Sequence, residues 1–279
     1  MGRKKDNELF DGKIAVVSGG SKGIGKAIAK EISKLGGSVC VIARGLEGLK
    51  TTEEEIKELL DKEDQFVDII SCDTSDMDEL KPPLLKFVQK RGVPDYLINV
   101  VGDNHPDYLE NLKLEHFKKI LNANYYTQLV PTLILLPHFM EEKSGHIIFV
   151  SSVAAYIGLI GNATYTPSKA AVVGLAEVMR NELLPYNVKV SVLYPPDTDT
   201  PLLRRGNEVR PQEQAIISEK GGLMTPEEVA RSLVAGIRKD RFEIFPGKAG
   251  FLKKIYRLFP RIVRSTLDKD YLKAREELG

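Results

Sequence analysis

The sequence predicts an α/β fold, a single doubly wound parallel sheet of about seven strands with helices on both faces. Two observations carry this. Short apolar, β-branched runs alternate with segments of helical period along most of the chain. The runs are nearly all apolar, as strands covered on both faces tend to be. No repeat, low-complexity tract or linker divides them, so residues 1–279 read as one domain.

The first strand is Ile14 to Val17, after which Ile24, Ile28, Ile32 and Leu35 recur at helical spacing until Gly36-Gly37. Val39 to Ile42 is the second strand, followed by a charged helix around Thr51 to Leu60. Phe66 to Ile70 and Tyr96 to Val101 are the third and fourth, separated by a helix through Leu84 and Val88. A long helix from about Glu115 to Met140 precedes the fifth strand, Ile147 to Val150. Another helix, from about Tyr165 to Leu184, precedes the sixth, Val188 to Leu193. Phe242 to Phe245 is the last, stopped by Pro246-Gly247.

Composition narrows the function classes. With 42% hydrophobic and 28% charged residues the chain reads as an ordinary globular protein with a full core. Its net charge of +1 supplies no field that would attract nucleic acid. The two cysteines, Cys40 and Cys72, lie in apolar strand-like runs and suggest buried thiols in a reduced compartment. None of His105, His116, His138 and His146 falls in a metal-ligand pattern, so no metal is expected. Residues 1–8 are charged with no apolar stretch after them, which does not fit a signal peptide. No run approaches the roughly 18 apolar residues that span a bilayer. A cytoplasmic protein, free or peripheral on a membrane surface, is expected.

Between the first strand and first helix stands Ser18-Gly19-Gly20-Ser21-Lys22-Gly23-Ile24-Gly25. Glycines here permit a tight turn and bring a pyrophosphate close to backbone N–H groups at the helix N-terminus, where the dipole favours an anion. Ser21, Lys22 and Ile24 belong to the same loop. At the end of the second strand, where an acid would bond a free ribose 2′-hydroxyl, the chain has Ala43 and then Arg44. An arginine fork suits a 2′-phosphate, and Lys22 adds a second cation, so NADP(H) is the expected cofactor.

The strongest chemical signal is Tyr165-Thr166-Pro167-Ser168-Lys169, with Ser152 thirteen positions before the tyrosine. Residues four apart share a helix face. A lysine ammonium close by is expected to bring the tyrosine, ordinarily near pKa 10, toward neutrality. Ser152 follows the fifth strand, at the carboxyl ends where parallel sheets bind ligands.

From about Gly12 to Pro246 these motifs make the chain resemble the short-chain dehydrogenase/reductase superfamily, with its Rossmann-type sheet. The resemblance implies that Ser152 orients the carbonyl, Tyr165 transfers the proton and Lys169 binds the nicotinamide ribose. It implies that Asn124 helps hold a proton-relay water, with Asn122 the competing assignment, and that Asp73 touches the adenine. Asn99-Val100-Val101-Gly102 is similar to the family's Asn-Asn-Ala-Gly turn, with Val101 crowding the backbone near the cofactor. Pro195, Thr198 and Thr200 match the segment beside the nicotinamide, where Pro196 replaces the usual glycine and fixes φ. A homodimer or tetramer packed through the helices bearing Asn124 and Tyr165 is implied by analogy alone.

The string Pro195-Pro196-Asp197-Thr198-Asp199-Thr200-Pro201 is similar to that of 3-ketosphinganine reductases, as are Phe149-Val150-Ser151-Ser152 and Gly174-Leu175-Ala176-Glu177. This implies reduction of the 3-ketone of a long-chain amino alcohol. The competing readings are a reductase of a 3-ketoacyl thioester, steroid or small ketone, and a non-catalytic NADP(H) sensor. Residues 202–225 are read as a substrate lid, although their mix of apolar and charged residues also fits a solvated loop. The tail, 248–279, begins with Lys253, Lys254, Arg257, Arg261 and Arg264 interleaved with Phe251, Leu252, Ile255, Tyr256, Leu258 and Phe259. Such a basic amphipathic helix can lie in a membrane interface or pack on the protein itself, and Pro260 should interrupt it either way.

Overall fold

The computed structural model describes residues 9–219 and 222–278; the charged stretch 1–8 lies outside them. Seven strands form one all-parallel sheet in the order β3-β2-β1-β4-β5-β6-β7. They are β1 (Ile14–Ser18), β2 (Ser38–Ala43), β3 (Val67–Ser71), β4 (Tyr96–Asn99), β5 (His146–Val150), β6 (Lys189–Leu193) and β7 (Glu243–Ile244). On one face pack α1 (Gly23–Lys34), α2 (Leu46–Lys57) and α9 (Pro226–Arg238), through Ile28, Ile32, Leu49, Ile56, Leu233 and Ile237. The other face carries α3 (Met77–Arg91), α5 (Thr127–Glu142) and α6 (Tyr165–Glu182), through Leu84, Phe87, Leu135, Phe139, Val172 and Met179. Cys40 and Cys72 are free and buried. Burial lifts both thiols, Cys72 to about 11.

The strands stand where the apolar runs place them, with small shifts that have local causes. β4 stops at Asn99, before Val100-Val101, because its neighbour β1 ends at Ser18, where Gly19 turns the chain at φ 85°. β7 shrinks to two residues because it is an edge strand with β6 as its sole neighbour. The long helix expected from Glu115 to Met140 is broken by a π turn. α4 (Leu114–Leu121) leads into Asn122–Tyr126 and then α5. Helical periodicity tolerates one extra residue in a turn, so the sequence pattern does not reveal it; π turns recur at functional sites.

After β6 come α7 (Pro201–Val209) and α8 (Gln212–Glu219), and the chain ends in α10 (Ala249–Leu258) and α11 (Pro260–Leu278). Pro260 divides the tail as expected, and it opens the second helix, where its missing N–H costs nothing.

One contact ties the helical layer to the sheet at the site. β5 runs one residue past the end of β4, so Val150 has β6 on one side and no strand on the other. The buried Gln128 fills that place: Val150 N donates to Gln128 Oε1 at 3.1 Å, and Gln128 Nε2 donates to Val150 O at 3.0 Å. The same amide nitrogen donates to Asn124 O at 2.9 Å, closing the π turn. Gln128→Leu keeps the volume but leaves these buried backbone groups without that partner. At about 1–3 kcal/mol per orphaned group, it is expected to cost roughly 2–4 kcal/mol. Calorimetry should show Tm lower by about 5–10 °C; a change under about 2 °C would show that the clamp is dispensable.

Candidate active site

The glycine loop folds tightly against its own surroundings. A Cβ on Gly19 would stand 2.7 Å from Val101 N, and one on Gly25 would stand 2.3 Å from the Gly19 carbonyl oxygen. Neither position has room for a side chain. Gly19 N donates to Ile42 O at 2.7 Å, and Thr52 of α2 donates to Ser21 O at 3.2 Å, so the loop is held on both sides. α1 then begins at Gly23 behind Lys22, whose side chain does not cap it. Its first N–H groups are left to face a cleft of about 700 Å³ at the carboxyl ends of the strands.

Arg44 and Asp73 stand at one end of this cleft and Ser152, Tyr165 and Lys169 at the other. Arg44 is 80% exposed, with its guanidinium 3.8 Å from Asp73 Oδ2. Asp73 is oriented by Ser75, whose N and Oγ donate to Asp73 Oδ1 at 2.9 and 2.8 Å.

At the other end, Lys169 is only 3% exposed, and its Nζ donates to Val150 O at 3.0 Å, beside the Gln128 bond. Gly102 makes this approach feasible, since a Cβ there would lie 3.1 Å from Lys169 Nζ and 2.8 Å from Asn124 Oδ1. Asn124, carried by the π turn, accepts from Asp103 N at 2.9 Å and donates to Asp103 O and Ser168 Oγ at 2.9 and 2.8 Å. Asn122 is exposed and turned to Ser75 Oγ at 3.0 Å, so Asn124 is the asparagine that stands by Lys169.

The electrostatics differ from the expectation that Lys169 lowers the tyrosine. Burial pushes the Tyr165 hydroxyl up to about 12; a hydrogen bond with Ser152 pulls it down and the Asp197 carboxylate raises it further. Burial alone brings Lys169 down to about 7. The reason is geometric. The ammonium is spent on the Val150 carbonyl and lies 5.7 Å from the centroid of the Tyr165 ring.

Of the other residues read from the sequence, Ile24, Gly102, Pro195 and Thr200 line the cleft. Thr200 caps α7 by accepting from Leu203 N at 3.2 Å, and its Cγ2 would lie 3.0 Å from a Cβ on Gly23. Asn99 and Thr198 stand behind the wall. Asn99 donates to Thr132 Oγ1 at 3.0 Å and Thr198 to Pro196 O at 2.8 Å. Two features escape sequence reading. Arg205 of α7 reaches to 3.6 Å from Asp103, across the cleft mouth, and Asp197 acts on Tyr165. Both join segments about a hundred or thirty residues apart with no motif between them.

A helix N-terminus, a glycine loop and a Ser–Tyr–Lys constellation at the carboxyl ends of a parallel sheet define a dinucleotide-dependent oxidoreductase. The family model for short chain dehydrogenase matches residues 13–211, and the chain belongs to that family. It is 37% identical to a 3-dehydrosphinganine reductase of Danio rerio, over 87% of this chain and 74% of that protein. It is likewise 37% identical to a 3-ketodihydrosphingosine reductase of Dictyostelium discoideum, over 87% of this chain and 77% of that one. Among solved structures, a short-chain dehydrogenase/reductase from Burkholderia phymatum shares the fold with TM-score 0.79 at 21% identity, covering 91% of this chain and 96% of that chain.

The lowered Lys169 makes a stability prediction. With a folded pKa of about 7 against an ordinary 10.5, the buried amine destabilises the fold fully below pH 7, and the penalty fades as pH rises from 7 toward 10.5. Lys169→Met should therefore raise stability at pH 6 by on the order of 1–3 kcal/mol, net of the lost Val150 hydrogen bond. The gain should shrink by pH 9.5. Thermal melts at both pH values check this; a loss of Tm at pH 6 would mean that the hydrogen bond outweighs the buried charge.

Proposed function

We propose that the chain is an NADPH-dependent reductase that converts the 3-ketone of 3-ketosphinganine to the alcohol of sphinganine. The observation that carries this is the 37% identity to 3-ketosphinganine-type reductases across 87% of the chain. The Pro195 to Pro201 string supports it.

The residues fit a dinucleotide. The uncapped start of α1 offers N–H groups to the pyrophosphate, and Gly19, Gly23 and Gly25 keep side chains out of its path. Ser21 and Ile24 belong to the same cradle, and Asp73 faces the adenine end. Arg44, exposed at the cleft rim, supplies the fork for a 2′-phosphate, with Lys22 lining the same cleft. Bound NADPH supplies the hydride. Ser152 donates a hydrogen bond to the carbonyl oxygen and Tyr165 gives that oxygen its proton. Lys169 holds the nicotinamide ribose, and Asn124 keeps the loop after β4 against Lys169. Pro195, Thr198 and Thr200 shape the nicotinamide side, with Asn99 and Gly102 behind it. A tyrosine held at about 12 by burial is a donor that stays protonated until charge develops on the substrate oxygen.

The test is NADPH oxidation by the purified protein with 3-ketosphinganine and with a 3-ketoacyl thioester. The expected result is turnover of the amino ketone, preference for NADPH over NADH, and a fall of about 10²–10⁴ in Tyr165→Phe. Turnover of the thioester alone would replace the substrate; NADPH binding without turnover of either would leave a sensor.

Two further readings belong with this one. Residues 202–225, of which 220 and 221 lie outside the described residues, form the lid over the substrate, and exposed Tyr126, Leu133 and Val178 on the helical face around α5 and α6 support a homo-oligomer. The tail rests peripherally on an anionic membrane. α10 and the start of α11 expose Phe251, Leu252, Leu258, Phe259 and Ile262 beside Lys254, Arg257 and Arg261, and no described helix is long and apolar enough to cross a bilayer. Lys253 departs from the expected basic face. Its ammonium bonds Glu243 and lies over the rings of Tyr194 and Phe245 at 5.3 and 5.2 Å. Replacing Lys254, Arg257 and Arg261 with glutamate is expected to abolish salt-sensitive co-sedimentation with anionic vesicles, since each cation contributes about 1 kcal/mol there. Unchanged sedimentation would rule the surface out.

A further inference from the structure

Lys169 is a buried amine without an acid. Other part-buried cations have one: Arg91 has Asp68, Lys26 and Lys30 share Glu55, and Lys253 has Glu243. Lys169 Nζ bonds Val150 O and, among the described residues, no other acceptor. No charged side chain shifts it; burial alone does. A buried ammonium ordinarily needs a counter-charge. Here one neutral carbonyl dipole holds it, so the orientation of that carbonyl decides where the ammonium stands.

Gln128 sets that orientation. It is 0% exposed, and it bonds both sides of the Val150 peptide group, accepting from N at 3.1 Å and donating to O at 3.0 Å. No strand does this in its place, because β4 ends one residue short of Val150. A primary amide has two N–H donors, and the second goes to Asn124 O at 2.9 Å, so the side chain has none left to turn elsewhere. A carbonyl oxygen has two lone pairs. Gln128 takes one and leaves Lys169 the other. Gly102 closes in on the amine as well, since a Cβ there would stand 3.1 Å from Nζ. Lys169 lines the cleft; Gln128 does not.

We propose that Gln128 is a positioning residue for the dinucleotide: it aims the Val150 carbonyl so that the Lys169 ammonium stands where the nicotinamide ribose binds. The inference rests on the reading of Lys169 as the ligand of that ribose. Without Gln128 the carbonyl is free of its clamp, and the amine that depends on it follows. A misplacement of about 1 Å caused from outside a site can cost on the order of 10²-fold. The contrary case is a residue that only holds the strand end, where Val150, Ser151 and Ser152 also line the cleft. Its loss would then weaken binding whether or not the lysine is present.

The test is a double-mutant cycle on NADPH binding, read as Kd from the fluorescence of the reduced nicotinamide with no ketone present. Lys169→Met is expected to weaken binding roughly 10- to 100-fold, as hydrogen bonds from a charged group are lost. Gln128→Leu is expected to weaken it at least about fivefold. The double variant should bind within about threefold of Lys169→Met, because an absent lysine cannot be misplaced. Losses that multiply overturn the proposal. Lys169→Met that binds NADPH as wild type does removes the ribose reading of Lys169, and the proposal with it. A weakened Lys169→Met beside an unchanged Gln128→Leu removes Gln128 alone and leaves that reading standing.

Gln128→Glu separates affinity from stability. Its carboxylate accepts from Val150 N but cannot donate to Val150 O, and it offers the buried ammonium the acid it lacks. Its Tm should stand at or above that of Gln128→Leu. Its NADPH binding should nevertheless stay at least about fivefold weaker than wild type, because the ammonium turns to the carboxylate. Affinity that recovers to wild type together with Tm overturns the proposal, since binding would then follow stability.

Discussion

Where β4 ends and β5 continues, the Val150 peptide group is left facing no strand, and the chemistry is assembled on that vacancy in the sheet. Buried backbone groups must find partners. Val150 finds two: the Gln128 amide from α5 and the Lys169 ammonium from α6. Because Gln128 also bonds the Asn124 carbonyl, the π turn, the strand end and the lysine are fixed relative to one another by a single side chain. The Tyr165 ring, four residues before Lys169 on the same helix, inherits its place from this arrangement. A shorter β5 or a regular helix through 122–126 would break the set at once.

The arrangement holds polar groups where burial opposes their charge. Lys169 and Tyr165 are moved in opposite directions for the same reason: desolvation disfavours the ammonium of one and the phenolate of the other. Asn99 Oδ1 and Ser18 Oγ, close behind the cleft, are buried without a partner among the described residues. Local conflicts of this kind collect at functional sites and are offset by the rest of the fold. Here the offset comes from two continuous cores, one on each face of the sheet, with β4 and β5 buried along their whole length and β1 and β2 buried except at Ile14 and Ala43.

Much of this was legible from the residues. Apolar runs located seven strands because a sheet covered on both faces leaves little polar alternation to confuse the reading, with exceptions at Asp68, Lys189, Ser191 and Glu243. Gly19 and Gly25 were legible because their need is steric and local, confirmed by backbone atoms within 3 Å of where a Cβ would stand. Tyr165 and Lys169 were legible from their spacing, but the direction of the tyrosine's shift was not. Spacing says that two side chains share a face, and it does not say what else the ammonium will bond. The π turn was hidden because an inserted residue barely disturbs an apolar helical pattern. Lys253 read as one more cation of a basic face, and only the packed structure shows it drawn over Tyr194 and Phe245 to meet Glu243.

The two walls of the cleft are built on different principles, and this bears on how such a fold changes its substrate. The cofactor wall is mostly backbone: glycines, the start of α1, and the Val101 peptide lying against Gly19. Few substitutions are tolerated there, because the clashes are with main-chain atoms that cannot turn aside. The opposite wall is made of side chains on separate segments, and its attachments are unequal. α7 is tied by ion pairs at the surface, Arg204 to Asp199 and Arg205 to Asp103, which contribute little in water. α8 is tied inside, by Gln214 to Asn162 at 2.9 Å and Glu213 to Tyr108 at 2.5 Å. α7, capped by Thr200, lies over the glycine loop through that residue. The wall that varies most easily is thus the one built from side chains, while the wall at the glycine loop is fixed by main-chain contacts.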